Sequence, residues 1–289
     1  MSDQRPLVSV YIPTKNRVDL LKRAVNSVLS QDYENIEVVI VDDGSDDLTN
    51  VYGIELKAKD SRVLYIRNER SQGACFSRNR AIKSANGYYV TGLDDDDYFE
   101  PSRISDFISA AEEAKSELVM FYTDNKIINH DGTVKVIVRP SMCDFKDILI
   151  KNYVGNQVFG VRRFFLDSDG FDENLPAWQD VEYWYRMSRC FGIQFRKVKG
   201  ASYVVDQCHD HERISGNSVR RIQSAADYFS RKYELNTSDH AKLMVNVLGY
   251  QNKNPGLSAV FKLGVEVKSI RSIRNLVKLS LVNLLGRRR

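Results

Sequence analysis

Over the first 130 positions, apolar residues recur at two alternating periods, and the alternation predicts strands separated by helices. Leu7 to Pro13 is a short apolar run containing Val8, Val10 and Ile12, and it ends at Pro13-Thr14. From Arg17 to Gln31 the positions Val18, Leu21, Val25, Val28 and Leu29 repeat at helical spacing. Ile36 to Val41 is a continuous run rich in β-branched residues, as expected of a parallel strand buried on both faces. It halts at the turn signal Asp42-Asp43-Gly44-Ser45. A weaker helix and a strand at Val63–Ile66 follow, then a helix over Ala74–Ala85 that stops at Asn86-Gly87. Tyr88 to Leu93 reads as a strand running straight into Asp94-Asp95-Asp96-Asp97. Pro101 opens a further helix, and Leu118 to Tyr122 is again strand-like.

This order implies βαβ units, right-handed crossovers and a mostly parallel central sheet, hence an α/β, Rossmann-like domain. Ligands of such sheets bind beyond the carboxyl ends of the strands. The clusters Thr14-Lys15-Asn16-Arg17, Asp42–Ser45 and Asp94–Asp97 all fall at such ends, so they should converge on one rim. After Asp124 the pattern loosens. Asp131-Gly132 between two apolar runs signals a hairpin. A helix is expected near Asp180–Phe191, strands at Phe195–Val198 and Ala201–Val205, and helices from Ser218 onward. The expected division is a domain over 1–216, with an internal boundary at 125/126, and a helical extension over 217–289.

Charge changes the picture at the carboxyl end. The net charge is +4, but from Gly256 to Arg289 eight basic residues face one acidic. The body is slightly acidic and the tail strongly basic. Between Leu257 and Leu285 apolar positions alternate with Lys262, Lys268, Arg271, Arg274 and Lys278, a cationic amphipathic pattern. Two readings stand: a tail lying on an anionic membrane surface, or a helix packed on the body with a solvated basic face. Four cysteines without a Cys-x-x-Cys pair suggest neither a zinc site nor a disulfide framework, and fit a reducing compartment. No stretch reaches the ~18 apolar residues of a membrane span. The expected location is cytoplasmic, peripheral at the inner face of the cell membrane, without a nucleic-acid partner.

Four adjacent carboxylates repel one another, so Asp94–Asp97 is either a solvated acidic turn or a cation site. Alternate carboxylates delivered to a sheet rim can both face a hard divalent ion such as Mg²⁺ or Mn²⁺. Asp42-Asp43-Gly44-Ser45 is a plain turn and helix cap, or a set of acceptors for a base or ribose. Arg78 and Arg80 place cations on the helix leading to the acidic run, either solvated or aimed at phosphate. Asp180 follows Trp178-Gln179 at a helix start, where it caps the helix or, held by packed aromatics, serves as a general base. His209 and His211 are structural, or lie near a diphosphate. G-x-G-x-x-G, Walker A and G-x-S-x-G sequences are absent, which disfavours Rossmann dinucleotide binding, P-loop chemistry and an esterase elbow.

In order, VSVYIPTKNR, VVIVDDGSDD and GACFSRNRAIKSANGYYVTGLDDDD resemble glycosyltransferase family 2, bacterial enzymes of the GT-A fold that build O-antigens, capsules and other polysaccharides. The resemblance spans roughly residues 5 to 216 and implies a nucleotide-binding domain in which residues 1–125 form the nucleotide-sugar half and 126–216 the acceptor half. It implies that Thr14, Asn16 and Arg17 border the nucleotide pocket, that Asp43 hydrogen-bonds the uracil, and that Arg78 contacts the nucleotide. Asp94 and Asp96 match the family's D-x-D, Asp96 foremost as metal ligand for Mn²⁺ or Mg²⁺. Asp95, where a small residue is common, joins the donor-binding set. Asp180 matches the catalytic base, with Gln179 where a Glu usually precedes it. His211 and Ser215 match the H-x-x-x-S of a loop closing over the donor.

The reaction so implied moves a hexose from a UDP-sugar, UDP-glucose or UDP-galactose, to a saccharide acceptor on a lipid diphosphate, with inversion to a β-linkage. The alternatives are a sugar nucleotidyltransferase, which normally carries a Gly-rich basic loop where this chain has PTKNR, and a non-catalytic carbohydrate- or nucleotide-binding module.

Overall fold

The computed structural model describes residues 5–155, 157–209 and 219–251 of the 289-residue chain. His211, Ser215 and the basic tail from Gly256 onward, all singled out above, lie outside the described residues. The first half alternates as its hydrophobic pattern predicts: β1 (Val8–Thr14), α1 (Val18–Leu29), β2 (Ile36–Asp42), α2 (Thr49–Lys59), β3 (Val63–Arg67), α3 (Ala74–Ser84) and β4 (Tyr89–Gly92). The short β5 (Tyr98–Phe99), α4 (Arg103–Ala114) and β6 (Val119–Tyr122) follow. The hairpin forms as β7 (Asn125–Ile128) and β8 (Val134–Ile137). Next come β9 (Met142–Cys143), α5 (Phe145–Ile150), β10 (Gly160–Val161), α6 (Arg162–Asp167) and α7 (Gln179–Phe191). The described chain closes with β11 (Gln194–Lys197), β12 (Tyr203–Asp206), α8 (Val219–Lys232) and α9 (Thr237–Gln251).

The central sheet runs β10-β4-β1-β2-β3. Its four long strands are parallel, and only the edge strand β10 is antiparallel, against β4. The chain winds outward from β1 through β2 to β3, then returns through α3 to place β4 on the other side of β1. The order therefore reverses between β1 and β4, and such a switch point leaves a crevice at the carboxyl ends of the strands.

Period-two alternation sorts the strand residues onto two faces. Val8, Val10, Ile12, Val38 and Ile40 pack with Leu21, Ala24, Val25 and Val28 of α1 and with Ile104 and Phe107 of α4. Tyr11, Val39 and Val41 pack against Ala81 and Ile82 of α3 and Trp184 of α7. Every residue of β1 is buried, as a strand covered on both faces requires. Each fully buried valine or leucine contributes roughly 1.5–3 kcal/mol, so this double layer fixes the rim on which the polar clusters stand.

Two smaller sheets complete the fold. β11 pairs in parallel with β6 and antiparallel with β9. β12 lies between β5 and β7, and β8 forms the outer edge of that sheet. β5 begins directly after the acidic run, and β12, which pairs with it, ends at Asp206, whose N–H reaches Asp97.

Candidate active site

The loop after β1 is clasped to the loop after β2. Asn16, at φ 53°, donates its backbone N–H to Ser45 Oγ (2.9 Å), and its Oδ1 accepts from the Asp46 N–H (2.7 Å). Asp42 turns inward, accepting from the Ser45 N–H (2.9 Å) and from the Tyr65 hydroxyl (2.6 Å). Asp43 turns toward the neighbouring loop and accepts five hydrogen bonds. The donors are Asn68 Nδ2 (2.7 Å), Ser71 Oγ (2.7 Å), Ser77 Oγ (3.1 Å), and the N–H groups of Gln72 (2.8 Å) and Gly73 (2.9 Å). Burial pushes its carboxyl upward, but these donors outweigh it and hold it below the usual range. One carboxylate thereby folds the Asn68–Ser77 loop into a wall of the crevice.

The four aspartates after β4 serve four different contacts. Asp94 Oδ1 accepts from Arg78 Nη2 (2.9 Å) and from Gln157 Nε2 (2.9 Å). Asp95 is buried, accepting from Thr14 Oγ1 (2.8 Å) and from Arg17 Nη1 (3.1 Å). Burial pushes its carboxyl up to about 6 even against those donors. Asp96 lies 3.5 Å from Arg17 Nη1 and 3.6 Å from His209 Nε2. Asp97 closes the turn by donating its N–H to the Asp94 carbonyl (3.0 Å), and its Oδ1 accepts from the Asp206 N–H (3.2 Å). The run is a folded turn with cations on two sides, not a uniform patch of negative charge.

Asp180 stands in the first turn of α7, entered through Trp178 in the left-handed region at φ 61°. Such a conformation costs a non-glycine residue about 1–3 kcal/mol and is held here by packing, since Trp178 is 5% exposed. Asp180 Oδ2 accepts from Asn152 Nδ2 (2.7 Å), and Oδ1 accepts from the Val181 N–H (2.9 Å). Burial raises its pKa, with Arg78 opposing and Asp94 adding to the rise. Asn152 also pins Gly155, donating to its carbonyl (3.1 Å) and accepting from its N–H (2.9 Å). Trp184 Nε1 donates to the same carbonyl (2.9 Å).

Thr14, Arg17, Asp43, Arg78, Asp94, Asp95, Asp96 and Asp180 line one cleft of ≈ 800 Å³, with Phe171 and Trp178 on its wall. Asn16 acts from behind the rim, clasping two loops. Arg78 lies between Asp94 and the ring of Phe171; desolvation lowers its pKa, but Asp94, foremost among the neighbours that oppose it, helps to keep the guanidinium protonated.

Among the described residues no three His, Cys, Asp or Glu side chains converge on a metal position. Two carboxylates at the rim, Asp94 and Asp96, suit an ion that takes its other oxygens from phosphate and water. Neither Gln157 nor Asn152 was marked by sequence reasoning. They sit in an irregular stretch, and Gln157 reaches an aspartate 63 positions away, a distance no local motif spans.

Comparison with known proteins gives a consistent set of likenesses. The family model described as glycosyl transferase family 2 matches residues 9–172. WcaA of Escherichia coli K12, named for colanic acid biosynthesis, is 32% identical over 245 residues, covering 80% of this chain and 87% of WcaA. WfaP of Escherichia coli is named a UDP-Glc:α-D-GlcNAc-diphosphoundecaprenol β-1,3-glucosyltransferase. It is 42% identical over 128 residues, 44% of this chain and 49% of WfaP. The structure of S. aureus TarS 1–349 in complex with UDP-GlcNAc superposes with a TM-score of 0.66 at 18% identity, covering 97% of this chain and 92% of TarS 1–349.

Proposed function

This chain belongs to glycosyl transferase family 2 and has the GT-A fold, and from that premise we propose that it transfers a hexose from a UDP-sugar to a saccharide carried on a lipid diphosphate. It is a glycosyltransferase, which removes the nucleotidyltransferase and the binding-module alternatives. The observation that carries the finer reading is the single cleft shared by Asp43, Asp94, Asp96, Arg78 and Asp180.

In this reading the base and ribose lie against the wall folded around Asp43, between Pro13 and the Ser71–Gly73 segment. The diphosphate lies at the acidic turn. Mn²⁺ or Mg²⁺ held there by Asp96 and Asp94 would neutralise phosphate charge as the sugar leaves. Arg78 and Arg17 supply fixed positive charge at the same rim, stabilising charge that develops on the leaving group. Asp180 accepts the proton of the acceptor hydroxyl as that oxygen attacks C1 from the face opposite the diphosphate. One displacement inverts the anomeric carbon, so an α-linked donor yields a β-linkage. Asn152 and the Val181 N–H each hold one oxygen of the Asp180 carboxylate and so fix its orientation.

The lipid-diphosphate acceptor is supported by the likeness to WfaP, whose printed substrate is a saccharide on diphosphoundecaprenol. A panel of UDP-sugars, assayed with Mn²⁺ and a synthetic lipid-diphosphate saccharide, tests the proposal. One sugar is expected to be transferred to a β-linked product, and a chelator is expected to abolish turnover. Transfer that proceeds undiminished in the chelator, or an α-linked product, defeats it.

A further inference from the structure

Two apolar patches on the described surface play no part in the cleft. One is a stripe on α2 and the residue before it: Leu48, Val51 and Ile54 are 67%, 51% and 57% exposed. The other is on the hairpin: Val134 and Val136, alternate residues of β8, and Val138 just beyond it are 59%, 47% and 76% exposed, and Met142, four positions further along the chain, is 46% exposed. Patches of this kind mark contact with another apolar phase.

The two differ in their surroundings. Around the α2 stripe the exposed lysines Lys57 and Lys59 are interspersed with exposed Asp46, Asp47 and Glu55. On the hairpin side, from His130 to Lys151, the exposed charges are Lys135, Lys146 and Lys151 against the single carboxylate Asp131, so the hairpin patch lies in a basic stretch of chain. It also connects directly to the acceptor wall. Arg139, next after Val138, donates to the Tyr153 carbonyl (2.7 Å), and Asn152 in the same loop holds Asp180 at 2.7 Å.

We propose that the face formed by Val134, Val136, Val138 and Met142, with Lys146 and Lys151, rests on an anionic lipid bilayer. The surface rests on the lipid-linked acceptor of the preceding section, because it turns the Asp180 side of the cleft toward a saccharide tethered in that bilayer. Shallow insertion covers the valines while the lysines meet lipid phosphates, the combination interfacial contact needs.

A second copy of the chain fits this face less well. Exposed Lys135 sits in the middle of the outer strand β8, and pairing that strand with itself brings two like charges onto one short ladder. Edge pairing would also leave the valines uncovered, because side chains stand perpendicular to the sheet and not in its edge plane. The α2 stripe carries carboxylates that an anionic leaflet repels.

Tryptophan scanning of the full chain tests the proposal. The native Trp178 and Trp184 are 5% and 0% exposed and give a constant background. Vesicles of phosphatidylethanolamine and phosphatidylglycerol with brominated acyl chains are expected to quench the added emission of Val136→Trp and to leave that of Val51→Trp unchanged. The triple variant Val134→Ser, Val136→Ser, Val138→Ser is expected to partition about tenfold more weakly onto the same vesicles. Its turnover on a soluble acceptor should be unaltered. Three outcomes overturn the proposal: no quenching of Val136→Trp in vesicle-bound protein, equal quenching at both positions, or shielding of the added tryptophan by self-association without lipid. The vesicles carry neither sugar nor nucleotide, so this result is independent of whether the UDP-sugar reading succeeds.

Discussion

Burial, helped by the charge of Asp94, favours the neutral form of Asp180, while the Val181 N–H and the Arg78 guanidinium favour its anion, and burial prevails. A general base must be ionised to act. The acid limb of kcat should therefore lie above the ordinary carboxylate range, with activity lost as pH falls through it. Asp180→Asn is expected to reduce kcat by about 10³-fold while UDP-sugar binding, measured by calorimetry, is retained. Removing the Asn152 donor takes away a hydrogen bond to the charged form. Asn152→Ala should then move the acid limb to still higher pH and lower kcat by roughly 10-fold with little change in donor KM, as a pH–rate profile will show.

Asp95 provides a separate test through stability. Its folded pKa of about 6 lies above the 3.8 of a free aspartate side chain. The contribution it makes to stability is therefore fully present below the unfolded value and is lost as pH rises through about 6. Without metal, Asp95→Asn should melt a few degrees higher than the parent at pH 7 and show no such advantage near pH 4, as differential scanning calorimetry will show.

The sequence marked these carboxylates because aspartates gathered at strand ends are rare and conspicuous. It did not mark Gln157 or Asn152, since an amide in an irregular segment has the same local signature whether it faces solvent or a catalytic group. The resemblance set Asp94 and Asp96 apart from Asp95, but the pattern of residues did not reveal the separate partners of the acidic run, which come from Thr14, Arg17, Arg78, Gln157 and Asp206.

At the scale of elements, the strongly periodic segments were legible. α1 starts within one residue of its expected boundary and ends two residues earlier, because Leu21, Val25 and Val28 repeat at the helical period over three turns. β1 and β2 were legible because a β-branched run of this length is a strand buried on both faces. β5, β9 and β10 have two residues each, and α5 and α6 have six, too short to generate a period. Their positions are set by tertiary partners, such as Val90 and Tyr89 of β4 for β10.

Gly92, which ends β4, shows how close such partners come. A Cβ there would lie 1.8 Å from Gln157 Oε1 and 2.4 Å from the Tyr11 ring. Gly92→Ala should expel Gln157 from its place beside Asp94, costing about 1–3 kcal/mol in denaturant unfolding and lowering turnover in the same variant.

At the scale of the whole molecule, the sheet, its switch point and the cleft follow from the βαβ order, and the GT-A fold is the outcome. The orientation of the second half does not follow, because it depends on contacts between residues far apart in the chain. Deleting residues 257 to 289 should lower the fraction of protein that sediments with anionic vesicles, each lost basic residue weakening attraction by about 1 kcal/mol near the surface. If the hairpin face also contacts lipid, binding should be reduced and not abolished.

Gln157 accepts from the Tyr11 hydroxyl at 2.9 Å on one side and donates to Asp94 at 2.9 Å on the other. In the proposed reading the glutamine belongs by sequence to the stretch that would receive one sugar, yet by contact to the residues that would hold another. Retooling this enzyme for a new glycan by exchanging that stretch for a relative's would thus meddle with the donor end as well. A graft stopping short of position 157, or one that restores an amide there, is the design that keeps the two specificities separable.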